Sequence, residues 1–251
     1  MDRPGRALVT GAGARVGKAM AEALGAAGWQ VAVHYSSSDA GARDTVAAIE
    51  AAGGRGALVQ GDLSVEEDVR RLVGDAAAAL GGPLNLLVNS ASTFHQDDAR
   101  DFDAKGWDFH FETNLRAPVT LAQTFANALP ADAEGLVVNL VDQRVWKLNP
   151  QFFTYTLSKS ALWTATQTLA QALAPRIRVN AIGPGPTLKS IHQTDAEFAE
   201  EQRRTLTEKG SSPAQIVKAL MFLIEADAVT GQMIAADGGQ HLMWRTPDIP
   251  D

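Results

Sequence analysis

Arg6-Ala7-Leu8-Val9-Thr10-Gly11-Ala12-Gly13-Ala14-Arg15-Val16-Gly17 decides how the rest of the chain is read. It begins as a short apolar run that stops at Gly11, and a small-residue helix is expected from Val16 to Ala27. Glycines between a strand and a helix permit a tight bend and close backbone approach. The helix start adds free N–H groups and the positive end of its dipole. Such a turn suits a pyrophosphate, which makes Gly11, Arg15, Val16 and Gly17 cofactor-binding candidates.

Outward from that turn the same alternation recurs. Strand candidates lie at Gln30–His34, Ala57–Gln60, Leu84–Val88, Gly135–Leu140, Ile177–Asn180 and Met233–Ala235. Between them come helical stretches: an Ala-rich one ending at Gly53-Gly54, Glu66 to Leu80 with Ser64 as its N-cap, Ala104 to Ala128, and the helix of Tyr155 to Ala174. Strands alternating with helices of this length mean βαβ units. The expectation is an α/β fold: one doubly wound domain over residues 1–251, with a seven-stranded parallel sheet and helices on both faces. Residues 184–213 break the rhythm with the rigid turn Pro184-Gly185-Pro186-Thr187, then a polar stretch with a helical pattern from Glu197 to Leu206. An excursion of that length after a strand end is expected to be a substrate loop or lid.

Composition limits the chemistry. With 251 residues, 45% of them hydrophobic and 20% charged, the chain can bury a full core. A net charge of −7 without a basic tract speaks against nucleic acid. The absence of cysteine removes disulfides, thiolate metal sites and thiol nucleophiles. The five histidines, 34, 95, 110, 192 and 241, lack ligand spacing, so no metal is expected. Met1-Asp2-Arg3-Pro4-Gly5 leads straight into a strand, and there is no membrane-length apolar run; the expected location is cytoplasmic.

The end of the second strand bears on the cofactor. NAD enzymes place a carboxylate there for the ribose diol. Here the sequence runs His34-Tyr35-Ser36-Ser37-Ser38, with no carboxylate before Asp39. An imidazole and hydroxyls can donate to a 2′-phosphate, and Arg15 adds a cation, so NADP(H) is expected. Tyr155 and Lys159, four residues apart, share one helix face. An ammonium near a phenol favours the phenolate and lowers its pKa, which would make Tyr155 an acid–base group near neutrality.

Taken together, several motifs resemble the short-chain dehydrogenase/reductase family over nearly the whole chain. They are the Thr10–Gly17 turn, Asp62, Asn89-Ser90-Ala91-Ser92, Asn114-Leu115-Arg116-Ala117-Pro118, Tyr155-x-x-x-Lys159, Arg178-Val179-Asn180 with Pro184-Gly185, and Asp237-Gly238-Gly239. The resemblance implies a Rossmann-type fold and the homo-tetramer usual in the family. It makes Tyr155 the proton donor, has Lys159 tune it and hold the nicotinamide ribose, and gives Asn114 a proton relay. Asp62 with Leu63 would meet the adenine, Asn89, Ser90 and Ala91 would line the cofactor, and Pro184 and Gly185 would flank the nicotinamide.

The chain departs from the common family pattern at Arg15, at Ser90 and Ser92, and at Asp142, which stands where a serine is usual, thirteen residues before Tyr155. A serine there donates to an oxygen that becomes negative, and a carboxylate would repel it. A ring with C=N bonds and N–H groups suits Asp142 better. These departures resemble the pteridine reductase branch, and Asp237-Gly238-Gly239-Gln240-His241-Leu242 resembles bacterial dihydromonapterin reductases. That branch implies Phe94 stacked on a pterin, Ser92 lining the cleft, and Arg15 reaching both pyrophosphate and pterin. The reading is an NADPH-dependent reductase of a pterin-like small molecule. Its rivals are a 3-oxoacyl-type carbonyl reductase with Asp142 protonated, or a catalytically weak nucleotide-binding sensor. Trp107, Phe109 and Phe111 are expected in the core or a subunit contact, and Arg203-Arg204 on a solvated face.

Overall fold

A computed structural model of the chain describes residues 4–190 and 193–246. Met1 to Arg3 and His192, on which two of the expectations above partly rest, lie outside the described residues. Seven strands form one parallel sheet: β1 (Arg6–Val9), β2 (Gln30–Tyr35), β3 (Arg55–Gln60), β4 (Leu86–Asn89), β5 (Gly135–Leu140), β6 (Ile177–Pro184) and β7 (Met233–Ala236). Their order is β3-β2-β1-β4-β5-β6-β7, so the winding reverses between β1 and β4. A crevice opens outside the carboxyl ends of the strands at that reversal.

Both faces are covered, as period-two alternation on a doubly buried sheet requires. One layer holds α1 (Arg15–Ala26), α2 (Ala40–Ala51) and α8 (Pro213–Glu225), whose Met20, Leu24, Ile49 and Leu220 pack on Val9, Val31, Val88 and Ile182. The other holds α3 (Glu66–Leu80), α5 (Ala117–Ala128) and α6 (Phe153–Leu173), packed on the intervening residues Leu8, Ala32, Leu87, Val137 and Val179. Among the described residues, no helix is long and apolar enough to cross a membrane.

Two local expectations change. Ser64 does not cap α3: its hydroxyl donates to Asp62 Oδ1 at 2.7 Å, and Val65 takes the N-cap position without a side-chain bond. The helix expected over Ala104 to Ala128 is α4 (Ala104–Phe111) and α5, joined through a π-turn at Glu112–Arg116. A π-turn closes i→i+5 bonds and admits one extra residue into an otherwise continuous helix. Trp107, Phe109 and Phe111 avoid the sheet core; Trp107 stacks on Phe111 at 4.5 Å and Phe109 on His95 at 5.4 Å. Past β6 the excursion carries α7 (Asp195–Arg203), whose Thr194 and Glu197 form a capping box.

Candidate active site

The glycine turn is held from two sides. Thr10 Oγ1 accepts from the backbone N–H groups of Ser90 and Ala91, both at 3.0 Å, which ties β1 to the segment after β4. Gly11 has φ 64°, and a Cβ there would sit 2.9 Å from Ala91 Cα; a Cβ on Gly17 would sit 2.4 Å from Gly11 O. Both positions therefore exclude side chains. The first turn of α1 has no side-chain cap and no acidic residue, so its N–H groups face the crevice unmatched. That is the chemistry a pyrophosphate needs.

His34 does not serve the role expected of it. Gly11 N donates to Nδ1 at 3.1 Å, so the ring proton sits on Nε2 and goes to Gly61 O at 3.0 Å. With both nitrogens engaged and the ring 2% exposed, His34 braces the glycine turn and has no donor left for a phosphate. Burial pulls its pKa from 6.5 to about 4. A depressed folded pKa contributes stability above the unfolded value, and that contribution is lost as pH falls. The Tm should therefore decline between pH 6.5 and about 4, and His34→Gln should flatten the decline. Identical slopes in calorimetric scans of the two proteins would refute the assignment.

The exposed hydroxyl-bearing residues Ser36, Ser37 and Ser38 remain at the end of β2, and Gln60 Nε2 donates to Ser36 O at 3.0 Å. Asp62 is exposed and folds its carboxylate onto Ser64. Leu63 packs its side chain into the α3 layer at 6% exposure, leaving only its backbone for the nucleotide side. Arg15 sits at φ 53°, and its guanidinium donates to Leu188 O and Lys189 O, each at 3.1 Å. It thus bridges the glycine turn to the loop after β6. A Cβ on Gly185 would stand 2.6 Å from Asp237 Cβ, so Pro184-Gly185 is seated against the buried Asp237.

The catalytic candidates converge at the end of β5. Asp142 Oδ1 accepts from Arg144 N at 2.8 Å and so caps the 3₁₀ turn Gln143–Val145; Oδ2 accepts from the Tyr155 hydroxyl at 2.8 Å. Asp142 thus faces the cleft, half-buried. Burial raises its pKa, opposed by the Arg144 N–H and charge, the Tyr155 hydroxyl and Lys159. Lys159, 2% exposed, donates to Leu140 O at 2.8 Å, and its Nζ lies 5.9 Å from the Tyr155 ring centre. Burial lowers its pKa to about 8, against the pull of Asp142.

The electrostatics reverse the simple Tyr–Lys expectation. Burial, and then the Asp142 charge and hydrogen bond, push the Tyr155 pKa well above 10. Lys159 is engaged with a backbone carbonyl, while a carboxylate holds the phenol proton. The Tyr155 phenol therefore keeps its proton, directed at Asp142, and is not a phenolate.

Asn114, fully buried in the π-turn, accepts at Oδ1 from Thr93 N (2.9 Å) and Ser92 Oγ (3.0 Å). Its Nδ2 donates to Thr93 O (3.0 Å) and Ser158 Oγ (3.2 Å). This carboxamide pins the irregular Ser92–Thr93 segment to α6. Phe94 is no core residue: it is 44% exposed, edge-on to the Tyr155 ring at 4.7 Å and stacked on Phe152 at 4.1 Å. Phe152 was not picked out from the sequence, and its φ of 55° is rare for a bulky residue. The only local sign of it was an aromatic pair at the start of the Tyr155 helix. Arg144 lies over the Phe152 ring at 5.2 Å, whereas Trp146 turns toward His241, 5.2 Å away.

Residues 11–241 match the family model described as enoyl-(acyl carrier protein) reductase. A 3beta-hydroxysteroid dehydrogenase 1 of Eggerthella lenta is 33% identical, with 94% of this chain and 93% of that protein covered. The crystal structure of the alternative dihydrofolate reductase 1 FolM from Brucella canis, complexed with NADP, superposes with a TM-score of 0.94 at 49% identity, over 98% of this chain and 97% of that one. The angucycline C-6 ketoreductase LanV with bound NADP gives a TM-score of 0.86 at 28% identity, over 96% of this chain and 100% of that one.

Proposed function

The chain belongs to the short-chain dehydrogenase/reductase family, and from that membership we propose that it is an NADPH-dependent reductase of a pterin-like, dihydropteridine ring. The observation that carries the reading is the 2.8 Å bond from the Tyr155 hydroxyl to Asp142, beside the exposed Phe94 ring. A ketone wants a neutral donor at the place of Asp142; a heterocycle with N–H groups wants an acceptor there. The likeness to a Brucella protein described as an alternative dihydrofolate reductase supports the same substrate class.

Residues suited to the cofactor are the Gly11–Gly17 turn for the pyrophosphate, Ser36 to Ser38 for the 2′-phosphate, and Asn89, Ser90 and Ala91 along the nucleotide. Asp62 and the Leu63 backbone suit the adenine; Lys159 and Pro184-Gly185 suit the nicotinamide end. When bound, the nicotinamide supplies a hydride. Tyr155 gives its proton to the ring nitrogen next to the reduced carbon. Asp142, which accepts the Tyr155 hydroxyl and so orients it, also presents an acceptor to the N–H groups of the ring. Lys159 offsets the negative charge left on the pair. Phe94 offers a face to the flat ring, and Ser92, held on Asn114, lines the same cleft.

The test is NADPH oxidation with a dihydropterin against a 3-oxoacyl ester and simple ketones. Turnover of the dihydropterin should exceed that of the ketones by about 100-fold or more in kcat/KM. With no carboxylate at the end of β2 to repel a 2′-phosphate, NADPH should be preferred to NADH by about 10-fold or more. Equal use of ketones and dihydropterin would move the assignment to the carbonyl reductases.

A further inference from the structure

The irregular segment between β4 and α4 is tied to the first turn of α6 by side chains with no part in the chemistry above. Asp97 O accepts from Phe153 N at 3.3 Å, and Asp97 Oδ1 accepts from Thr154 N at 3.1 Å. Asp97 Oδ2 accepts from the Thr154 hydroxyl. Phe152, the N-cap residue of α6, supplies no side-chain cap. A carboxylate from a distant segment therefore caps the helix that carries Tyr155, at the positive end of its dipole.

The chain of bonds continues inward with fixed directions. His95 N donates to His110 Nε2 at 3.1 Å, so that nitrogen accepts and the ring proton is on Nδ1. Nδ1 is 2.6 Å from Thr154 Oγ1, whose own proton is already committed to Asp97. The order is thus His95 N–H to His110, His110 to Thr154, and Thr154 to Asp97. His110 and Thr154 are both 0% exposed, and burial keeps the imidazole below its ordinary pKa and neutral. The chain brackets the cleft: His95 follows Phe94, and Thr154 precedes Tyr155. The Phe94 and Tyr155 rings stand 4.7 Å apart at 83°, and the His110 ring is 6.0 Å from Tyr155.

We propose that Asp97 and His110 are positioning residues for the reduction: acting through Thr154, they set the separation of the Tyr155 phenol and the Phe94 ring, and so the slot that a planar acceptor enters. The proposal rests on Tyr155 as proton donor and not on the identity of the acceptor. A small rotation of the first turn of α6 carries the phenol oxygen off both Asp142 and the substrate nitrogen, and misplacement of that kind is costly to rate.

The experiment compares Asp97→Ala with Asp97→Asn in the full chain. Asp97→Ala should lower kcat about 10-fold or more and raise KM for the acceptor, with Kd for NADPH held within about 2-fold. The Tyr155 ionisation, followed by tyrosinate absorbance with Tyr155→Phe as reference, should drop toward the ordinary phenol value as the Asp142 bond loosens. Asp97→Asn keeps an acceptor for Thr154 N and should recover most of both effects. If Asp97→Ala does not fold, Thr154→Val against Thr154→Ser makes the same comparison by removing only the hydroxyl. A lowered Tm with kcat, KM and the tyrosinate titration unchanged would reduce the chain of bonds to a structural cap and overturn the proposal. A wild-type protein that reduces no dihydropterin would count against the pterin assignment alone, because the tyrosinate comparison needs no substrate.

Discussion

Tyr155→Phe should lower kcat by about 10³-fold while NADPH affinity stays within about 2-fold, because a positioned general acid contributes 10²–10⁴ in rate and little to cofactor binding. The substitution keeps the ring that Phe94 meets edge-on at 4.7 Å and removes only the hydroxyl that donates to Asp142. Asp142 Oδ2 then loses its partner, at a cost of about 1–3 kcal/mol, so a modest fall in Tm should accompany the kinetic loss. The chain has only two tyrosines, Tyr35 and Tyr155. The ionisation step missing from the variant's absorbance titration therefore belongs to Tyr155, and it should lie well above pH 10 in the wild type. A variant that keeps more than a tenth of wild-type kcat would remove Tyr155 from its role.

Asp142→Ser carries the second large effect. Dihydropterin turnover should fall about 10²-fold, the scale of losing a group that positions a proton transfer, with NADPH binding intact. Reduction of a ketone should rise in the same variant, because a serine hydroxyl can donate to a developing alkoxide. Without the carboxylate beside it, the Tyr155 pKa should come down. Stability gives an independent sign. The folded pKa of Asp142 is raised, so its contribution is intact below the unfolded value and is lost as pH rises through the folded one. Asp142→Ser should therefore gain Tm over the wild type near neutrality, and the gain should shrink in acid. Unchanged dihydropterin kinetics would discard the role given to Asp142.

Much of this was legible in the sequence because the signals are local. The alternation of apolar runs with helical stretches is a property of neighbouring residues, and it gave the strands to within a few positions. The residues that gather at the strand ends, from the glycine turn through Ser92 and Asp142 to Tyr155, also keep fixed spacings along the chain. What could not be read depends on contacts across the fold. Four-residue spacing puts Lys159 on the face of Tyr155, but whether its Nζ meets the phenol or a carbonyl is decided by where β5 ends, at Leu140. His34 reads as a phosphate ligand because it stands next to the end of β2; only the approach of Gly11 and Gly61 on either side turns it into a brace. The Phe152–Phe94 stack pairs residues far apart in sequence, and its backbone signature is a dihedral angle, not a residue type.

The π-turn at Glu112–Arg116 has a geometric effect beyond presenting Asn114. One surplus peptide unit turns everything beyond it by about 100° around a common axis. The two arms of a single rod can then look in different directions. Before the turn, α4 buries only His110, against Thr154 of α6; after it, α5 sinks Leu121, Ala122 and Phe125 beneath the sheet. An unbroken α-helix with the same residues would keep one bearing throughout, and either the His110 contact or the sheet would lose its support.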